Sequence, residues 1–294
     1  MARIDVNGIS LNVEVAGDGP SRAHSHGDAE RVPSILLLHG FTGSTATWQA
    51  HLPALSAHRK VVAVDLIGHG ASAAPADTTR YSMAQCCYDL LAMLDRLEIE
   101  QCAVLGYSMG ARVALHLAVS APRRVSALVL ESGSPGIADP AERAARREAD
   151  EALANRIECD GIEAFVDYWE ALPLFASQRA LLPDVRLELR RQRLCNNPKG
   201  LANSLRGMGT GAQEPLWDRL GHMSVPILLM VGALDAKFRE IGGAMASAIP
   251  GARLAVVPGA GHAVHLEQPA EFERLIVDEL SPAAYRHGAT GGRR

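Results

Sequence analysis

Short, unbroken apolar runs recur along this chain, each followed by a glycine-marked turn and then by an amphipathic stretch. The runs fall at 34–38, 61–64, 102–105, 125–130, 227–231 and 254–257. They do not alternate, so both sides of each must be covered. That predicts strands buried on both faces of a mainly parallel sheet, with helices between them. The stretch 9–15 does alternate apolar with polar, after an Asn7-Gly8 turn signal, and predicts a half-buried strand in an N-terminal hairpin. Ser82, with Gln85 three residues on, reads as a capping box for a helix over 86–97. Another helix opens near Pro269, with Glu271 and Glu273 complementing its dipole.

From Ser134 to about His222 the strand pattern stops, and helical patterns follow one another at 141–157, 162–172, 179–194 and 201–208. The expected organisation is therefore an α/β core in two parts, 1–133 and 223–280, with an all-helical lid, 134–222, inserted after the sixth strand. The polar stretch 21–31 reads as a mobile loop, and the glycine-rich 281–294 as a disordered tail.

Composition narrows the function classes. At 294 residues and 48% hydrophobic content, the chain can bury a full core. A net charge of −4 has the wrong sign for a nucleic-acid surface. The five cysteines (86, 87, 102, 159 and 195) show no C-x-x-C and no pairing pattern, which suits reduced thiols in the cytoplasm. No apolar run has the length of a membrane span or a signal peptide, so no membrane association is expected.

Candidate chemistry begins at Gly106-Tyr107-Ser108-Met109-Gly110, which links an apolar run to an amphipathic one. Between strand and helix, a Gly-X-Ser-X-Gly turn is a nucleophile elbow, and it holds the serine hydroxyl above the sheet. An acid and a histidine follow in the order this arrangement needs. Asp235 stands after the run 227–231, and His262 lies in the glycine-rich Pro258-Gly259-Ala260-Gly261 loop. A serine hydroxyl is a poor base or nucleophile at neutral pH. An imidazole must take its proton, and a carboxylate must orient the imidazole. His265, just past that loop, is assigned to packing. The turn after 34–38, His39-Gly40-Phe41, supplies one backbone N–H of an oxyanion hole at Phe41, and Met109 supplies the other. Asp65, in a second glycine-marked turn, is read as structural. No His/Cys cluster has ligand spacing, so neither metal nor cofactor is expected.

Further motifs carry a narrower resemblance. They are the elbow with Ala111-Arg112, then Glu131-Ser132-Gly133-Ser134-Pro135-Gly136, Ala141-Glu142-Arg143-Ala144-Ala145-Arg146, Trp169-Glu170-Ala171-Leu172-Pro173-Leu174-Phe175, Arg193-Leu194-Cys195-Asn196-Asn197 and Gly232-Ala233-Leu234-Asp235-Ala236-Lys237-Phe238. From about Ile35 to Leu280 the chain resembles the 2-succinyl-6-hydroxy-2,4-cyclohexadiene-1-carboxylate synthases, lyases of menaquinone biosynthesis with the α/β-hydrolase fold. The resemblance implies a triad of Ser108, Asp235 and His262. It also implies substrate contacts at Tyr107, Arg112, Arg146, Trp169 and Arg193. The implied partner is a small tricarboxylate, each carboxylate suited to a two-point guanidinium contact. The implied reaction is loss of pyruvate by 1,4-elimination, with Ser108 as base. Ala111 stands where the family usually has a second glycine, and Ile67 replaces a common proline. The stretch Gln213-Glu214-Pro215 departs from the family pattern and is left out of the site. The residues alone leave two other readings open: an esterase or carbon–carbon bond hydrolase using the same triad, and a non-catalytic receptor on the same fold.

Overall fold

The computed structural model describes residues 1–17 and 32–281. The expected loop at 21–31 and the tail beyond Ser281 lie outside the described residues. Eight strands, β1 (Ala2–Val6), β2 (Ile9–Ala16), β3 (Ser34–Leu38), β4 (Val61–Val64), β5 (Cys102–Tyr107), β6 (Val125–Glu131), β7 (Ile227–Gly232) and β8 (Arg253–Val257), form one sheet. Its order is β1-β2-β4-β3-β5-β6-β7-β8. Only the β1/β2 and β2/β4 pairs are antiparallel. Asn7 and Gly8 join β1 to β2 with φ of 46° and 83°, the positive pair that a tight two-residue hairpin requires.

The helices are α1 (Leu52–Leu55), α2 (Met83–Arg96), α3 (Met109–Ser120), α4 (Pro140–Ala171), α5 (Pro183–Leu194), α6 (Pro198–Met208), α7 (Ala236–Ala248), α8 (Val264–Glu267) and α9 (Pro269–Glu279). Successive strand residues point to opposite faces, and the apolar runs fill both. Leu36, Leu38, Val104, Leu128 and Leu130 pack with residues of α2, α3 and α7, whereas Ile35, Leu37, Leu105 and Val129 pack with Trp48 and residues of α9. This double burial is why the runs read as continuous. β8 departs from the expectation. It is the outer strand with one neighbour, and Val256 is 45% exposed. The capping box at Ser82 forms by half. Ser82 Oγ accepts from the Gln85 N–H at 3.2 Å, but the Gln85 amide turns to Asp89 instead, and the helix starts at Met83.

Between β6 and β7 the chain runs through α4, a short turn at Pro173–Ala180, α5, α6 and a turn at Trp217–His222, with no strand. Gly161 breaks α4 with non-helical φ/ψ of 82° and 174°. Ala154, Ile157, Phe165 and Val166 of α4 and Leu201, Ala202 and Leu205 of α6 make a separate apolar cluster that reaches Phe41 of the core. α6 is also set directly on the body. A Cβ at Gly68 would lie 2.6 Å from the Gly200 carbonyl oxygen. Asn203 donates to the Pro75 carbonyl at 3.2 Å, and Asn196 bridges the Thr42 carbonyl (2.8 Å) and the Gly70 N–H (3.0 Å).

Candidate active site

The elbow is crowded on both sides. A Cβ at Gly106 would collide with the Gly110 carbonyl, and one at Gly110 with the Leu38 carbonyl. Between them Ser108 takes φ 50° and ψ −104°, a conformation that costs an L-residue energy and persists because the surroundings enforce it. One restraint is the Ser108 N–H, which donates to the Glu131 carbonyl at 2.8 Å. The parallel strands thus deliver Ser108, Asp235 and His262 to one end of the sheet. His262 Nε2 stands 3.0 Å from Ser108 Oγ, and His262 Nδ1 stands 2.8 Å from Asp235 Oδ2. With Nδ1 donating to the carboxylate, Nε2 is left as the acceptor for the serine proton. Asp235 is itself fixed as the N-cap of α7, accepting from the Phe238 N–H at 3.2 Å. Ser132 Oγ donates to the His262 carbonyl at 2.8 Å, and the rings of Phe238 (4.6 Å), Tyr107 (5.5 Å) and Phe175 (6.1 Å) enclose the imidazole.

Ser108 and His262 open into a cleft of about 1860 Å³ between the sheet end and the helical segment. Phe41, Tyr107, Met109, Arg112, Arg146, Trp169 and Arg193 line the same cleft, while Asp235 stands behind His262. Met109 is the first residue of α3, so its N–H sits at the positive end of a helix. The Phe41 ring meets Trp169 edge-on at 5.3 Å. Burial, with Glu131 nearby, pushes the Tyr107 hydroxyl well above its usual range and keeps it a proton-bearing donor.

The three arginines are held differently. Arg112 donates through Nη1 to the Met208 carbonyl (2.6 Å) and to Gln213 Oε1 (3.1 Å). Desolvation, and then the charge of Arg146, lower its pKa to about 10, so it is a half-buried cation with neutral hydrogen-bond partners. Arg146 spends Nε on Asp150 at 2.7 Å and keeps its two terminal nitrogens. Arg193 is the reverse. Its Nη1 reaches Glu170 at 3.0 Å and its Nη2 reaches Gln178 at 3.1 Å, leaving Nε. At Arg193 both terminal nitrogens of the guanidinium thus have protein partners, Glu170 and Gln178.

His265 is buried with Glu131, which accepts from its backbone N–H at 3.0 Å and lies 2.9 and 3.0 Å from its Nδ1. Asp65 accepts from the N–H groups of Thr45 (2.6 Å) and Ala71 (2.8 Å) and from Asn12 Nδ2 (2.8 Å), tying its own turn to β2 and to the turn at Thr45. Sequence reasoning left out Gln213, which is 1% exposed and holds Arg112. It also gave no role to Glu170, Gln178, Asp150 or Asn196. These are isolated polar residues whose partners lie far off in sequence or only one helical turn away, and no motif spacing marks them.

The family described as the alpha/beta hydrolase fold matches residues 33–269. A Bacillus subtilis (strain 168) protein, named provisionally as a 2-succinyl-6-hydroxy-2,4-cyclohexadiene-1-carboxylate synthase, is 42% identical over 91% of this chain and 94% of its own length. The synthase of that name from Serratia proteamaculans (strain 568) is 31% identical over 84% of this chain and 92% of its own. Among solved structures, MenH from S. aureus superposes with a TM-score of 0.83 at 34% identity, covering 91% of this chain and 98% of the other. An enol-lactonase from Burkholderia xenovorans LB400 reaches 0.78 at 26% identity, covering 95% and 100%. The match over the hydrolase core and the identity along nearly the whole length agree with the geometry of the cleft: the chain belongs to the α/β-hydrolase fold family and, within it, to the family of 2-succinyl-6-hydroxy-2,4-cyclohexadiene-1-carboxylate synthases.

Proposed function

We propose that this chain is a carbon–oxygen lyase of menaquinone biosynthesis. It converts 2-succinyl-5-enolpyruvyl-6-hydroxy-3-cyclohexene-1-carboxylate to 2-succinyl-6-hydroxy-2,4-cyclohexadiene-1-carboxylate and pyruvate. The observation that carries the reading is a serine–histidine–aspartate relay opening into the same cleft as Arg112, Arg146 and Arg193. A polarised serine next to several cations suits removal of a proton from a polyanion. Ser108, with its own proton drawn toward His262, takes the proton α to the succinyl ketone. The N–H groups of Phe41 and Met109 hold the enolate oxygen, at about 3 kcal/mol per donor. The electron pair moves through the ring, the carbon–oxygen bond to the enolpyruvyl group breaks, and His262 passes the proton on to the departing group. Tyr107 and Trp169 shape the cleft around the ring, and the helices of 134–222 act as a lid. Because the reaction needs no water and forms no acyl-enzyme, a hydrolase site can run it with its nucleophile serving as a base. Among the described residues no helix is long and apolar enough to cross a membrane.

An ultraviolet assay tests the reading. Wild type should generate the conjugated diene and free pyruvate in step. Ser108→Ala should lose about 10²- to 10⁴-fold in kcat, the usual worth of a positioned base, while KM stays near wild type. A near-wild-type rate would transfer the proton abstraction to His262. The second reading, ester or carbon–carbon hydrolysis, has the enol-lactonase likeness in its favour. It requires an acyl-serine or water-derived product in place of the diene.

A further inference from the structure

The peptides on either side of His262 are each gripped at both ends. Ahead of it, the Ala260 carbonyl accepts from the Leu234 N–H at 2.9 Å, and the Gly261 N–H donates to Glu267 Oε2 at 2.7 Å. Behind it, the His262 carbonyl accepts from Ser132 Oγ at 2.8 Å, and the Ala263 N–H donates to Glu267 Oε1 at 3.2 Å. The peptide in between is pressed against the end of β7, where a Cβ at Gly232 would strike the Gly261 carbonyl oxygen. Peptides are planar, so fixing these neighbours sets the φ and ψ of Gly261 and His262, and with them the bond from which the imidazole hangs. Glu267 is the one side chain common to both grips. Its backbone belongs to α8, whose N-cap, Ala263, has no side-chain acceptor to offer. A carboxylate that only capped α8 would stop at Ala263. This one reaches past the helix to Gly261.

We propose that Glu267 is a positioning residue for the triad's histidine: by accepting from the amides before and after His262, it holds Nε2 at the 3.0 Å from Ser108 Oγ across which the proton moves. Asp235 does a different job. Its 2.8 Å contact with Nδ1 sets the rotation and tautomer of the ring, but it grips the ring by one edge and leaves the backbone beneath it unrestrained. A carboxylate suits the backbone task because both its oxygens accept. An amide in its place would turn an N–H toward one of the two N–H groups. The bonds are charge-assisted, and so shorter and stronger than those between neutral groups. Glu267 is not among the residues that line the cleft, whereas its neighbour Leu266 is, so its effect falls on the proton transfer and not on substrate binding. The proposal rests on the triad as the catalytic centre, and it holds for elimination and hydrolysis alike.

Three substitutions test the clamp. Glu267→Ala removes both acceptors, Glu267→Gln turns one of them into a donor, and Glu267→Asp keeps the charge on a side chain one carbon too short. Each is followed by kcat and KM on the enolpyruvyl substrate, by melting temperature, and by the rate at which a fluorophosphonate labels Ser108. Labelling needs the activated serine but not that substrate. Each variant should lose about ten- to a hundredfold in kcat and in labelling rate, the cost of a misplaced reacting group, with KM and melting temperature little changed. Glu267→Gln should keep the most, since one N–H retains its acceptor. Glu267→Gln and Glu267→Asp carry the test if Glu267→Ala does not fold. A wild-type kcat in Glu267→Ala would overturn the proposal. So would melting temperature and KM worsening in step with kcat, the mark of a helix cap alone. A Glu267→Asp variant indistinguishable from wild type would also overturn it, because charge and not contact would then be at work. A wild-type enzyme that released no pyruvate would overturn the elimination reading instead, and the labelling rates would still judge the clamp.

Discussion

Glu131 closes β6 and serves two masters. Its carbonyl takes the Ser108 N–H, and its fully buried carboxylate takes His265, whose ring packs against Tyr107 at 4.6 Å. A partner-removing change in a buried pair leaves the survivor unsatisfied, so Glu131→Ala should cost about 3–5 kcal/mol in urea unfolding. Glu131→Gln, which keeps an acceptor oxygen in the same place, should cost visibly less. His265 was read as a packing residue and Glu131 only as part of a motif; their pairing was not legible, because the two are 134 positions apart. The triad was legible for the opposite reason. Each member sits in a short turn at a strand end, and the glycines those turns need are neighbours in sequence. The arginines were legible as residue types in a motif. Which of their nitrogens remain available was not, since Gln178, Glu170 and Gln213 decide that only after folding.

At the scale of elements, the apolar runs were legible because both faces of the sheet are covered, and β8 misled because an edge position leaves no mark in a short apolar run. The helical segment was legible as helix by periodicity, and the gap read between 157 and 162 falls where Gly161 breaks α4; the backbone conformation that makes the break was not legible. A Cβ there would meet nothing within 4 Å, so the constraint is one of backbone conformation and not of space. With φ at 82° and ψ at 174°, the residue lies where side chains are strained by about 1–3 kcal/mol. Gly161→Ala should lower the melting temperature accordingly. Since Arg146 lies before the break and Trp169 after it, the same change should raise KM for the enolpyruvyl substrate. An unaltered KM with a lowered melting temperature would make the break purely architectural.

For the molecule as a whole, the buried histidines set the response to acid. Burial lowers the pKa of His69 to about 3 and that of His116 to about 4, and depresses His39 and His51 as well. An unfolded imidazole takes its proton near pH 6.5. Below that pH the unfolded chain binds protons that the folded chain refuses, so stability falls with falling pH. Each such histidine contributes up to about 1.4 kcal/mol per pH unit, from roughly pH 6.5 down to its own folded value. Urea titrations at pH 7, 6 and 5 should show a steep loss. His69→Asn, which can keep the donor to the Ile67 carbonyl seen at 3.1 Å, should flatten the slope by one histidine's share. An unchanged slope would mean that His69 titrates normally.

The close approach of α6 to the Gly68 turn has a mechanical consequence. Backbone lies against backbone there, and at Gly207 a Cβ would lie 2.5 Å from the Tyr81 carbonyl oxygen, so α6 has no room to rock without first unpacking from the body. The proposed lid therefore has unequal legs. One is a fixed jamb, continuous with the sheet; the other, from Leu172 through α5, carries Phe175, Gln178 and Arg193 and presents Leu182 and Leu187 to solvent. Any opening of the proposed lid falls to that second leg, pivoting on the Asn196 contacts with Thr42 and Gly70, and Arg193 travels with it.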